Sequence, residues 1–596
     1  MIQGYFSIYF CIPAYSSRHK MIDNPLIIIA ILMLFAIIAG LLSAKFRQPL
    51  VLGLLIVGMI IGPSGFGLVQ DAGLIDLMIE LGAILFLFVI GMEFSLKRLT
   101  KIGMKAITVT LFKVGIMFFT IFVATVLLGF STTTAAFAGV IFSFSSTAIV
   151  TSILRQKQLI KRSEVPLLVA VLVLEDAFGV FALTFFSSLS KAGAAGLVSA
   201  IQSLVINLTI LVIIYVLVSK FAEKIITWVT KNAGEEFIMF ISLALCTAFA
   251  YLSYVLHLSP SAGAFLAGSI IATFAESKKF EHSIKPHSLM LSSFFFIAIG
   301  TLINITSIFE YIIPIIVLML VSIIGLFIAI GVTTKIFANF SNEGAVFSAI
   351  AMLPPGAFSL LVAKESMGLG SQIDLVTIIS VVILFTSIIM SIGLGNYKKI
   401  SALISTKNGF HKTTSSLSFY IKTLFEEIEI ENHHTKKLRT LMGQYLKNSL
   451  ITLFILVGAS ELASYFNAKI PIYIIIGIGF IGTMFFFIKA TNLFKQVIEQ
   501  LVRILTNLEG GTRIMKTRNI LKKMIYGLVL SLIGLFSPLL IYALGVSAWF
   551  LMVSVAMIVT GLMMISTAYN ILIHVSYDHK YVIPTYRKVK FEMRKH

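Results

Sequence analysis

The sequence predicts an all-α membrane protein of about 13 spans, two of them broken helices in inverted relation, followed by about four extra carboxyl-terminal transmembrane helices. Three observations carry this reading. Of 596 residues, 58% are hydrophobic and only 12% charged, with a mean hydropathy of +1.00, more apolar surface than a soluble core buries. Apolar runs of about 20 residues recur, each long enough to cross a hydrocarbon layer as a helix, and strand-like alternation is absent. The basic residues behind the net charge of +20 fall largely in the segments between and after these runs, which is a membrane pattern rather than a nucleic-acid one.

In order, the spans are expected near 24–45, 48–62, 76–97, 105–129, 134–154, 165–189, 196–219, 235–257, 259–275, 288–304, 310–335, 343–365 and 374–395. Basic residues then fall on alternate loops: Lys45 and Arg47; Lys97, Arg98, Lys101 and Lys105; Arg155, Lys157, Lys161 and Arg162; Lys220, Lys224 and Lys231; Lys278, Lys279 and Lys285. The opposite loops hold little that is basic beyond Lys191 and Lys364, and they include Asp71 and Asp76. The positive-inside rule places the amino end outside and residue 396 inside a cytoplasmic membrane. Residues 1–23 form an extension with Arg18 and Lys20 that lacks the pattern of a signal peptide, and translation from Met21 would remove most of it.

After the region 24–396, the stretch 397–445 reads as a cytoplasmic linker carrying His433 and His434, an isolated pair more ordinary than metal-binding. Two apolar hairpins follow within 446–575, near 447–465 with 469–489 and 523–544 with 547–575. A basic connector, 491–520, separates them, and a basic cytoplasmic tail, 576–596, closes the chain. The two cysteines, Cys11 and Cys246, give neither a disulfide framework nor a metal spacing.

Chemistry is expected where charge sits in mid-membrane, because each such group is costly. Glu175 and Asp176 lie at the centre of VPLLVAVLVLEDAFGVFALTFF. Adjacent helical positions point about 100° apart, so the two carboxylates face different partners. The bland alternative is a buried ion pair that fixes packing. Oxygen-rich sites suit hard cations, and burial raises the proton affinity of carboxylates in general, so a proton and a cation compete for one group. The fifth expected span has Ser145, Ser146 and Thr147 at its centre, and the twelfth has Pro354, Pro355 and Gly356. Proline breaks the helical ladder, and breaks at membrane depth belong where backbone lines a polar cavity. An odd number of steps separates the two spans, which makes them antiparallel, as in an inverted repeat.

These residues resemble the monovalent cation:proton antiporter-2 family, with its sodium/hydrogen exchanger-type (Kef/Nap-like) transmembrane domain. The resemblance rests, in order, on QPLVLGLLIVGMIIGPSGFG, IGMEF, SSTAIV, LEDAF, LSPSAGAFLAGSII and FFFIAIGTLIN, and covers about 24–396. It implies a cation/proton antiporter fold with crossed broken helices, a core and a dimerising panel, elevator-like alternating access and a homodimer. It also implies Asp176 as the principal carboxylate for cation and proton, Glu175 as the variable acidic partner, and Ser145, Ser146 and Thr147 at the helix crossing. The sequence departs from the family pattern in three places. The acidic pair is Glu-Asp. The eleventh span lacks the usual mid-membrane Lys or Arg near Ile323–Phe327, with Lys335 nearer the inner end. The twelfth span has Gly356, Ala357 and Phe358 in place of Gly-Glu-Phe. Lys113 could substitute as cationic partner, although snorkelling of its long stem to the inner surface is the favoured reading.

The implied cargo is Na⁺ or K⁺ against protons, in a lipid bilayer, without nucleic acid, resident metal or cofactor. A gated K⁺ efflux system is the alternative transporter, but no G-x-G-x-x-G fingerprint occurs in 397–596. A transport-dead sensor would have a broken acidic pair, and an intramembrane hydrolase lacks a catalytic context. If Glu175 also releases a proton, exchange carries net charge; if it stays protonated or paired, exchange is one for one.

Overall fold

The structure is a computed structural model that describes residues 25–46, 48–93, 103–192, 206–222, 235–274, 277–405, 514–543 and 551–577, with parts of 437–500. The amino-terminal extension, most of the 397–445 linker with His433 and His434, most of the first hairpin and the basic tail lie outside the described residues. Within them all regular structure is helical, apart from one isolated bridge between Ser145 and Pro355. Among the described residues, eight helices are individually long and apolar enough to cross a membrane. The chain is a multi-pass membrane protein.

One group of helices comprises α1 (Pro25–Lys45), α2 (Leu50–Ile61), α3 (Ala72–Glu93), α8 (Ile206–Ala222), α9 (Glu235–Val255), α10 (Pro260–Ile271) and α11 (Ser277–Thr301). Here α3 packs on α10 and α11, α2 on α1 and α11, and α9 on α10. The α3–α10 seam is a reciprocal glycine contact. A Cβ on Gly91 would stand 2.1 Å from the Phe265 carbonyl, and one on Gly268 would stand 2.1 Å from that of Phe88. Only glycine lets the two backbones approach this closely, the usual device where lipid supplies no hydrophobic drive between helices.

The second group comprises α4 (Met104–Leu127), α5 (Thr132–Ile141), α6 (Thr147–Gln156), α7 (Val165–Ala192), α13 (Ile312–Leu326), α14 (Thr333–Phe337), α15 (Asn342–Ala351), α16 (Ala357–Met367) and α17 (Leu375–Ser405); the short α12 (Ile305–Glu310) leads into it. Within it α4 packs on α5, α7 and α13, and α16 packs on α5, α7 and α17. Between the groups the contacts are thin, with α10 on α7 and α2 on α17. The appended helices α18 (Ile514–Ala543) and α19 (Leu551–Tyr577) form a tight hairpin, and α18 leans on α4 and α5.

The third expected span begins four residues early, at Ala72, and the tenth extends back to Ser277 with Pro286 inside it. The thirteenth runs on through 396 to Ser405, and α18 starts at Ile514, within the expected connector. The fifth and twelfth are each broken into two short helices, α5–α6 and α15–α16. Their first halves begin alike: Ser131 caps α5 by accepting from the Thr134 N–H, and Ser341 caps α15 by accepting from the Gly344 N–H. The eleventh contains a π-helical segment, Phe327–Val332, between α13 and α14.

Candidate ion-binding site

The two breaks meet. Ser146 N–H donates to the Pro354 carbonyl at 2.9 Å and Gly356 N–H to the Phe144 carbonyl at 3.2 Å, around the Ser145–Pro355 bridge. Each break thus satisfies backbone groups that the other leaves open, which is the condition for irregular backbone at membrane depth. Proline at 354 and 355 costs two donors but leaves their carbonyls available as acceptors. Gly356 is required by space: a Cβ there would stand 2.9 Å from the Ser145 carbonyl oxygen. Ser145 Oγ donates to the Met352 carbonyl at 2.8 Å, and Ser359 Oγ to that of Ile141 at 2.6 Å, tying the opposite halves together.

On α7 the acidic residues take different partners, as their angular offset requires. Glu175 is fully buried, and its Oε2 lies 2.9 Å from Lys113 Nζ and accepts the Ser145 N–H at 2.8 Å. Lys113, on α4, is equally buried; it donates to the Ser143 carbonyl at 2.6 Å and to Ser145 Oγ at 3.0 Å. The favoured reading of Lys113 as a snorkelling side chain is therefore corrected. An acid presented by α7 and a carbonyl just beyond the end of α5 draw the ammonium inward. The charges match the local dipoles: the ammonium sits at the carbonyl end of α5, and the carboxylate accepts an N–H just before the start of α6.

Asp176 points away from this network. Its Oδ2 accepts from Thr147 Oγ1 at 3.1 Å, in the first turn of α6, and it is 7% exposed. Thr147 is half-buried, and Ala148 and Ser152 beyond it on α6 are exposed. The five candidate ligands thus separate into three kinds. Glu175 and Ser145 belong to the Lys113 cluster; Ser146 caps α6 through its Oγ, which accepts from the Ile149 N–H at 3.3 Å; Thr147 and Asp176 remain as the oxygen pair without a cation of their own in this cluster. Glu175 Oε1 is buried and accepts no hydrogen bond among the described residues.

Lys335 lies in α14, beyond the π segment, and makes no ion pair with Glu175 or Asp176 among the described residues. Sequence reasoning missed Ser359, whose place three residues after Gly356 is a capping position that could have flagged it. It also missed the π segment, which apolar periodicity does not reveal.

Residues 30–397 match the family described as "Sodium/hydrogen exchanger, transmembrane". The chain belongs to this family. Among curated relatives of this sodium/hydrogen exchanger family member, the "Iron transporter MagA" of Paramagnetospirillum magneticum is 28% identical over 336 residues, 56% of this chain and 76% of that protein. The "Na(+)/H(+)-K(+) antiporter GerN" of Bacillus cereus is 28% identical over 364 residues, 61% of this chain and 93% of that protein. Among solved structures, the sodium proton antiporter MjNhaP1 of Methanocaldococcus jannaschii is 16% identical with a TM-score of 0.48, covering 64% of this chain and 99% of that one.

Proposed function

We propose that the chain is a secondary-active antiporter that exchanges a monovalent cation, Na⁺ in the first instance or K⁺, for protons across a cytoplasmic membrane. The observation that carries this reading is the division of labour at the helix breaks: Lys113 is committed to Glu175, while Asp176 with Thr147 offers oxygen to a cargo. Asp176 holds either a proton or a cation, and hydroxyl and carbonyl oxygens near the break supplement its carboxylate for a hard monovalent ion. A site that crosses the membrane only when one or the other neutralises it couples the two fluxes, because a bare carboxylate is costly there.

With Glu175 held by Lys113, one carboxylate titrates per cycle, so exchange is one proton for one cation and indifferent to membrane potential. The thin contacts between the two helix groups support an elevator-like displacement of the α4–α7 and α13–α17 group against the other, in a homodimer paired through the α1–α3 group. Membership of the family and the name of its relative GerN support monovalent cation exchange; an intact acidic pair speaks against a transport-dead sensor. The test is proton flux in proteoliposomes, read with a pH-sensitive dye, across Na⁺, K⁺ and Li⁺. A Fe²⁺ arm is included because one relative is named an iron transporter. Cation-dependent proton efflux with one or more of the alkali ions is expected; its absence with all of them overturns the reading.

A further inference from the structure

At the end of the bundle opposite Arg162, a cleft of about 500 Å³ opens between the two helix groups. Asp76, Glu80, Ser259 and Ser261 line it from one group, and Leu183, Ser187, Leu361, Lys364 and Glu365 line it from the other. The cleft runs down the face of α7 that carries the site. Asp176, Leu183 and Ser187 follow one another at helical spacing along one stripe, so Leu183 stands about 10 Å from Asp176 along the axis. Between them the path is shut: Phe358 of α16 lies on Gly179, where an added Cβ would meet the ring at 2.6 Å, and Leu183 and Ser187 are buried. On the opposite side of Asp176, Thr147, Ala148 and Ser152 are part-exposed or exposed along α6.

One ion pair spans this cleft. Lys364 Nζ on α16 lies 2.9 Å from Asp76 Oδ1 on α3. Lys364 is one of the few basic residues on the outer side, and its helix is the outer half of the broken twelfth span. Its partner belongs to the other helix group, and direct helix contacts between the two groups are few.

We propose that the Lys364–Asp76 pair is a latch that holds the two helix groups together across the outer cleft, so that breaking it favours the outward-open form. This rests on the antiport reading above for its purpose, but not for its measurement. The latch is of moderate strength by construction. Asp76 is 65% exposed and Lys364 29%, and exposed pairs shift an equilibrium by roughly two- to fivefold and weaken with salt. A stronger lock would trap the carrier in one state, since a ligand must overcome whatever bias is built in.

The experiment labels position 187 from outside with a membrane-impermeant maleimide, using the full chain with Ser187→Cys, Cys11→Ser and Cys246→Ser in sealed vesicles. Labelling in this parent is expected to be slow, and about two- to fivefold faster with Lys364→Gln or Asp76→Asn. The swapped pair, Lys364→Asp with Asp76→Lys, returns it toward the parent rate. Choline chloride at high ionic strength accelerates the parent but not Lys364→Gln, which a merely structural lesion would not reproduce. If neither single variant changes labelling, or the swapped pair labels as fast as the singles, the latch is refuted. Should Lys364→Gln fail to reach the membrane, Asp76→Asn, at its exposed position, decides alone. Labelling needs no ion gradient, so a chain that exchanges nothing still reports on the latch, and a refuted latch leaves exchange at Asp176 untouched.

Discussion

At the scale of single residues, the site depends on which carboxylate has a permanent partner. Asp176→Asn keeps the shape and the Thr147 contact but removes the titrating group; cation-dependent proton flux should fall to background while membrane insertion is retained, as checked by chromatography of the purified protein. The Lys113–Glu175 pair makes a different prediction. Both groups are fully buried, and removing one partner from a buried pair strands the other at a cost of about 3–5 kcal/mol. Lys113→Met should therefore lower thermal stability strongly, and adding Glu175→Gln should recover much of the loss, as measured by unfolding in detergent. Exchange in the parent protein should be equally fast with and without an imposed potential; a rate that follows the potential would mean that Glu175 joins the cycle. The position of the acidic pair was legible in the sequence because two acids in an apolar run stand out. The fate of Lys113 was not, since a lysine stem reaches either a surface or a neighbour, and only the packing of α4 on α7 and α5 decides between them.

At the scale of elements, the breaks were legible from Pro354, Pro355 and the Ser-Ser-Thr run, but their mutual pairing is a long-range property of the fold. The start of α7 is fixed by a cluster that the loop charges only hinted at. Arg162 bonds Glu164 at 2.8 and 3.0 Å, approaches Glu343 at 3.4 Å, donates to the Tyr397 hydroxyl, and lies over the rings of Phe347 and Tyr397. This stitches the start of α7 to α15 and α17. Gly344 makes room for it, since a Cβ there would meet Glu164 Oε1 at 2.7 Å. The hydrogen bond from Arg162 holds the Glu164 carboxyl below its ordinary titration range despite partial burial. A depressed carboxyl contributes stability that is present above its unfolded-state value and is lost as pH falls through the folded one. Arg162→Gln should cost about 1.5–3 kcal/mol at neutral pH, read as a lowered melting temperature. The difference from the parent should shrink as pH falls through the lowered titration range of Glu164, where the bond to Arg162 is lost.

At the scale of the whole molecule, the exchanger region ends before the appended helices begin, yet α18 is seated against α4. Leu535 is buried there, and a Cβ on Gly115 would stand 3.2 Å from both Leu535 and Phe536. Hydropathy located this helix but could not say what it touches, because an apolar stripe fits lipid and protein equally well. Both broken helices and the acidic pair lie before residue 406, so a chain ending at Ser405 should insert and exchange ions, with lipid replacing α18 along α4. A stably inserted but inert truncation would make the hairpin part of the transport machinery.

That seating has a mechanical consequence. The hairpin is bound to α4 on one side, and α19 turns Met552, Leu562 and Met563 outward, each more than half exposed. Any displacement of the α4-bearing body therefore drags a longer perimeter of annular lipid with it, and the bilayer must deform to follow. Deformation costs fractions of a kcal/mol for each ångström of mismatch, spread over that perimeter. The full chain should accordingly be a gauge of bilayer thickness. Its turnover should vary more steeply with acyl-chain length, from 14 to 22 carbons in the reconstituting lipid, than that of the chain ending at Ser405.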